Sequence, residues 1–232
     1  MNVISYYNKI PDSKFSLESE ELIDIWKKSW QKHGWNTILL NESYAKKNLL
    51  FNKLGLDNPD ANFYRTINKQ NWKYHRSCYC RLLAYCQYVR ENGATLYADY
   101  DVMNYGFTPN ILSFAKENSY FCGERAVVYL GTKGVEQMEN ALIKFSTKEL
   151  KNDESSADMY VMVRHTNIFT PVHNNLETNE GAKLKCGYYY VGNSYNDSQD
   201  EAPLVHYDNG CYARGAPRKL SRLQIIKEHN RL

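Results

Sequence analysis

No apolar run among the 232 residues approaches the roughly 18 that a bilayer-spanning helix needs. The start, Met1-Asn2-Val3-Ile4-Ser5-Tyr6-Tyr7, has neither the charged head nor the apolar stretch of a signal peptide, so the expectation is a soluble, cytoplasmic protein without stable membrane insertion. Charge of one sign is not in excess either: 29 Lys and Arg against 26 Asp and Glu leave a net charge of +3. That balance excludes a protein holding nucleic acid chiefly by its phosphates, though a locally basic site is compatible with it. The six cysteines (Cys78, Cys80, Cys86, Cys122, Cys186, Cys211) are too few for a disulfide framework, and none forms a Cys-x-x-Cys pair. Reduced, mostly buried thiols are expected. Internal repeats, low-complexity segments and domain boundaries are all lacking, so residues 1–232 read as a single domain. What is present is ample core material, 43% hydrophobic residues against 24% charged, which excludes a disordered chain.

The pattern is one of alternating strands and helices. Val3 to Tyr7 is β-rich and closes at the turn cluster Lys9-Ile10-Pro11-Asp12. Ser16 is a suitable N-cap, Glu18, Glu20 and Glu21 suit the positive end of a helix dipole, and Leu22, Ile25, Trp26 and Trp30 recur at helical spacing until Gly34. Trp35 to Leu40 is β-prone, which completes a strand-helix-strand unit of the kind that builds a parallel sheet. Residues 51–70 read as an irregular surface connection. From Arg76 to Glu91, Tyr79, Leu82, Leu83, Cys86 and Val89 mark one buried helix face, on which Cys78 and Cys80 point in different directions and so are not placed to share a metal. Asn92-Gly93 ends that helix, and Thr95 to Ala98 is a short strand. Further along, a helix is expected at Ile111 to Asn118, a strand at Ala126 to Leu130 and a helix at Val135 to Phe145. Strands are expected again at Lys185 to Val191 and Leu204 to Tyr207, and a basic helix opens at Pro217.

The strand at Thr95 to Ala98 runs directly into Asp99-Tyr100-Asp101. Two aspartates one residue apart can present both carboxylates to a single divalent cation where the strand has ended, as it has after Ala98. In an open parallel sheet the carboxyl ends of the strands line the ligand crevice, where a nucleotide's phosphates and a hard cation meet. A solvated loop or a helix cap is the alternative role for such a pair.

The stretch Ser77 to Tyr85, followed by Asn92-Gly93-Ala94-Thr95-Leu96-Tyr97-Ala98-Asp99-Tyr100-Asp101-Val102, resembles the DXD region of GT-A glycosyltransferases, including small DXD enzymes of microbes and large algal viruses. In that family an arginine-bearing helix precedes a Gly-rich turn, a short strand and the Asp-x-Asp. Here Arg81 stands farther from the first aspartate than in the toxin and yeast mannosyltransferase members, and Gly93-Ala94 replaces their usual Gly-Gly. Trp26, Trp30 and Gly34-Trp35 also look like the opening of such domains, and the likeness covers residues 20 to 107. It implies an α/β fold of GT-A type, with a Rossmann-like mixed central sheet flanked by helices.

The resemblance also implies site roles. Asp99 and Asp101 would hold Mn²⁺ or Mg²⁺ against the donor diphosphate. His206, on a short strand before Asp208-Asn209-Gly210, looks like the C-terminal metal ligand of several GT-A families, and a neutral imidazole can complete the coordination of Mn²⁺. An ordinary buried histidine bonded to backbone is the alternative. Arg81 would contact donor or phosphate, its alternative being a helix-surface salt bridge. Arg218 and Lys219, in a tail rich in cations, are candidates to neutralise the leaving group, or are simply part of a solvated basic helix. Tyr6 and Tyr7 end the first strand, where an aromatic ring can meet a nucleobase or pack in the core. Asp158 is the acid placed to orient or deprotonate an acceptor hydroxyl, or it caps a helix.

The reading is an enzyme that moves a sugar from a UDP- or GDP-sugar donor to a hydroxyl of a carbohydrate or glycan acceptor, with no nucleic-acid partner. Two rivals come from other classes: a catalytically silent nucleotide- or carbohydrate-binding module of the same fold, and a metal-dependent nuclease. The nuclease needs more acidic ligands for a two-metal site than the sequence near Asp99 offers.

Overall fold

The strands at Asn2–Tyr6, Thr95–Ala98 and Val127–Leu130 are buried on both faces, and this explains their near-continuous apolar texture. In the computed structural model the described residues are 1–9, 16–61, 64, 72–112, 120–122, 126–147, 170–172, 176–177, 183–184, 188–190, 203–207 and 222–228. The opening unit is β1 (Asn2–Tyr6), α1 (Ser16–Gln31) and β2 (Asn36–Leu40), with β1 and β2 parallel and Ile4 opposite Ile38. Gly34 closes α1 at φ 84°, a left-handed conformation that glycine adopts without a Cβ penalty, and the Trp35 N–H then reaches back to the Trp30 carbonyl at 3.3 Å.

Two short helices follow, α2 (Glu42–Lys47) and α3 (Leu50–Lys53), where the sequence reading had only a strand end and the start of a surface connection. Asn41 caps α2 by accepting the Ser43 N–H at 3.0 Å, and Ala45 is its buried residue. A six-residue helix with so little buried surface leaves no periodic stripe to read. The long helix α4 (Trp72–Asn92) begins four residues before the expected Arg76, and Gly93 at φ 85° ends it. It leads to β3 (Thr95–Ala98), β4 (Val102–Asn104) and a 3₁₀ turn at Pro109–Leu112, where a helix from Ile111 was expected. Residues 113–119 lie outside the described residues.

The remaining elements are β5 (Tyr120–Cys122), β6 (Val127–Leu130), α5 (Thr132–Thr147), β7 (Thr170–Val172), β8 (Leu176–Glu177), β9 (Lys183–Leu184), β10 (Tyr188–Tyr190), β11 (Leu204–His206) and α6 (Arg222–Glu228). The central sheet has the order β2-β1-β3-β6-β5-β7 and is mixed: β1 runs parallel to β2 and β3, whereas β6 is antiparallel to both β3 and β5. A second sheet, β10-β11-β4, stands beside it, and β8 pairs with β9 separately.

Alternation along the strands divides the core. Ile4, Tyr97, Val128 and Leu130 face α4 and α5, while Val3, Leu96, Ala98, Val127 and Tyr129 face α1 with Trp26, Trp30 and Trp35. Tyr85 of α4 locks the first layer to the sheet. Its hydroxyl accepts the Leu130 N–H at 2.7 Å and has the Thr95 and Val128 carbonyls within donating distance, at 2.6 and 2.8 Å. On the other side, Trp30 Nε1 donates to the Val102 carbonyl at 2.9 Å and Trp35 Nε1 to that of Phe107 at 2.7 Å, so α1 and its cap hold β4 in place. Cys80 and Cys86 are buried free thiols on α4, and Cys78 is half-buried. No helix among the described residues is long and apolar enough to cross a membrane.

Candidate metal centre

The Asp99-Tyr100-Asp101 segment is the joint between the two sheets. β3 ends at Ala98 in the central sheet and β4 begins at Val102 in the second, so the three residues form the turn, closed by the Val102 N–H on the Asp99 carbonyl at 2.9 Å. The Asp99 N–H donates to Ala126 beside β6 at 2.8 Å, and the Asp101 carbonyl accepts the Tyr207 N–H beyond β11 at 2.9 Å. Each end of the turn is thereby fixed to a different sheet, which leaves the two carboxylates free of backbone duty.

The antiparallel pairing of β11 with β4 sets His206 opposite Val102. His206 Nε2 lies 3.3 Å from Asp101 Oδ1, with the two side chains 10% and 13% exposed. One ligand atom from each of Asp99, Asp101 and His206 falls within 4.8 Å of the others. Among the described residues this is the one cluster of three or more His, Cys, Asp or Glu side chains close enough to share an ion. Two carboxylate oxygens and an imidazole nitrogen suit a divalent cation that accepts both oxygen and nitrogen.

Arg81 projects from α4 onto this cluster. Its Nη1 donates to Asp99 Oδ1 at 2.7 Å, and its guanidinium lies 5.7 Å from the centre of the Tyr97 ring. The Tyr97 hydroxyl donates to the same Asp99 oxygen. Burial pushes the Asp99 carboxyl above the ordinary carboxylate range. Arg81 opposes the shift, and the adjacent Asp101 charge adds to it. Burial likewise holds the Tyr97 phenol well above its ordinary value, with the Asp99 charge acting in the same direction, so this hydroxyl stays protonated and donates.

The other sequence candidates are distributed differently. Tyr6 is 5% exposed and packs in the core with Tyr79 and Leu83, where burial raises its phenol far above the usual value. It takes the packing role that was the alternative to a nucleobase contact, because alternation along β1 turns it toward α4. Tyr7 is half-buried and meets Tyr100, the middle residue of the aspartate turn, edge to face at 5.8 Å. The Tyr100 hydroxyl lies 3.5 Å from Ser19 Oγ on α1. Asp158, Arg218 and Lys219 fall outside the described residues, as do the turn at 208–210 and Pro217. Tyr97 and Tyr100 were not singled out from the sequence. Tyr97 could have been, since residues two apart along a strand share a face and Asp99 is its next neighbour on that side.

No protein-family model matches the chain, and no curated protein matches it by sequence. Among solved structures, the chain is similar to the apo-form glycosyltransferase GlyE of Streptococcus pneumoniae TIGR4, with a TM-score of 0.54 and 14% identity, over 99% of this chain and 60% of that one. The chain shares that structure's mixed α/β fold, a central mixed sheet flanked by helices. A glycosyltransferase involved in the glycosylation of the major capsid of PBCV-1 also matches, with a TM-score of 0.47 and 11% identity over 100% of this chain and 98% of that one. At such identities the likeness concerns the fold, and the chemistry has to be argued from the side chains. In this fold Asp99 follows the carboxyl end of β3, and β1, parallel to β3, ends at Tyr6 on the same edge of the sheet.

Proposed function

We propose that the protein is a metal-dependent glycosyltransferase that moves a sugar from a nucleotide-sugar donor, a UDP- or GDP-sugar, to a hydroxyl of a carbohydrate or glycan acceptor. The observation that carries this reading is the convergence of Asp99, Asp101 and His206 within 4.8 Å at the carboxyl end of β3, in a fold shared with a glycosyltransferase. These three side chains would hold Mn²⁺ or Mg²⁺, of which Mn²⁺ accepts the mixed oxygen and nitrogen donors more readily. Bound there, the cation supplies Lewis-acid stabilisation to the departing nucleoside diphosphate.

The chain's own residues take the remaining tasks. Arg81, held beside Asp99, partly balances the charge of the two carboxylates and stands ready to meet a phosphate oxygen. Tyr7 and Tyr100 present ring faces and edges next to the turn, suited to a nucleobase or ribose. Arg218 and Lys219 are proposed to neutralise the diphosphate, and Asp158 to orient or deprotonate the acceptor hydroxyl. A two-metal nuclease is disfavoured, because the described residues offer one three-membered cluster rather than a larger acidic basin. The test is a panel of nucleotide sugars incubated with the protein, with and without Mn²⁺. The expected result is hydrolysis or transfer from one donor only when Mn²⁺ is present. Binding of a nucleotide without turnover on any donor or acceptor would instead identify a silent module.

A further inference from the structure

Among the three proposed ligands, Asp99 has one carboxylate oxygen held by two donors. Its Oδ1 receives the Arg81 Nη1–H at 2.7 Å and also the Tyr97 hydroxyl. Arg81 in turn lies over the Tyr97 ring, 5.7 Å from its centre, so the three side chains form a closed set in which each touches the other two. Tyr97 is 4% exposed and packs against Tyr85 with ring centroids 5.4 Å apart; Tyr85 is itself anchored between β3 and β6. The rigidity of the core is therefore carried to one carboxylate oxygen at the edge of the crevice.

We propose that Tyr97, together with Arg81, is a positioning residue for the metal centre, reserving Asp99 Oδ1 and leaving Oδ2 as the oxygen offered to a cation. This rests on the reading of Asp99, Asp101 and His206 as a cation site. A carboxylate with one oxygen held by two donors has its plane fixed, so the second oxygen points along one direction and loses no rotamer freedom on binding. A carboxylate without those donors rotates about its terminal torsion, which is broad. Arg81 also offsets one of the two carboxylate charges, which suits a site that must release its cation-bound product as well as hold it.

The test is Mn²⁺ binding to the whole protein, followed by electron paramagnetic resonance of the free ion, alone and with UDP or GDP, alongside thermal melting. Tyr97→Phe keeps the ring against Tyr85 and removes only the hydroxyl. The expected outcome is a small loss of melting temperature and a Mn²⁺ affinity weakened by about 10- to 100-fold, the range typical of groups that orient a metal ligand. Arg81→Lys, which keeps the charge but loses the fixed guanidinium fork that holds Asp99 from the helix side, should also weaken Mn²⁺ binding, and so covers the case in which Tyr97→Phe does not fold. A merely structural hydroxyl would lower the melting temperature and leave Mn²⁺ affinity untouched. Unchanged or tighter Mn²⁺ binding in the folded variants, with wild-type binding abolished by Asp101→Asn, overturns the positioning role while leaving the cation site standing. Failure of the wild-type protein to bind Mn²⁺ under any of these conditions overturns the cation site and the positioning role together.

Discussion

Asp101 separates its two roles by atom: the backbone carbonyl is bonded to Tyr207 and maintains the pairing of β4 with β11, while the carboxylate faces His206. Asp101→Asn preserves volume and backbone bonding, so the melting temperature should move little while turnover on the preferred donor falls by orders of magnitude. A variant that unfolds would make the carboxylate structural. At Glu42 the opposite balance holds. Arg76 Nη1 and Nη2 grip its two oxygens at 2.8 and 2.9 Å, Arg76 Nε also donates to Asp57 at 2.8 Å, and Lys46 adds a second cation at 2.7 Å. The hydrogen bonds from Arg76 hold the Glu42 carboxyl down at about 2, against the upward effect of burial and with help from Lys46. Because the folded value is depressed, this pair stabilises the protein fully above the unfolded-state value of about 4.3, and the contribution disappears as pH falls through about 2. Melting temperatures measured from pH 6 down to pH 2 should therefore fall less steeply for Glu42→Gln than for the wild type, from a lower starting point at neutral pH. Parallel acid profiles would remove Glu42 from the acid response.

Elements are joined here by single buried polar groups. Tyr85→Phe would strand the Leu130 N–H inside the joint between α4, β3 and β6, a loss of about 1–3 kcal/mol that urea denaturation should detect; no change would mean the N–H finds another acceptor. The strand-helix-strand opening, α4 and β3 were all legible in the sequence, because each carries a run long enough to show its period or a breaker such as Gly34 or Gly93 that marks its end. β4 and α2 were not. Three residues cannot show alternation, and a six-residue helix with Ala45 as its buried residue has no stripe. The position of the aspartates at a strand end could be read locally. Their meeting with His206 depends on β11 pairing with β4, and neither three-residue strand carries a register signal, so the expectation came from a family likeness rather than from the pattern. The engagement of Asp99 by Tyr97 was within reach of the two-residue period and was overlooked because Tyr97 reads as an ordinary core aromatic.

At the scale of the whole molecule, the six-stranded sheet supplies one aspartate through the end of β3, and the three-stranded sheet supplies Asp101 and His206 through the β4–β11 pair. A cation at that point would bind both sheets at once and add its binding free energy to the stability of their junction. On the proposed reading the nucleotide would lie beside β1 and α1, where Tyr7, Tyr100 and Ser19 meet, so donor binding and cation binding should be coupled through the same short turn. The direct measurement of this account is calorimetric titration of UDP and GDP into the wild-type protein with Mn²⁺ and, separately, with EDTA. The account predicts strong binding of one nucleotide with Mn²⁺, little with EDTA, and loss of the Mn²⁺-dependent part in Asp101→Asn. Equal affinity with Mn²⁺ and with EDTA would contradict it.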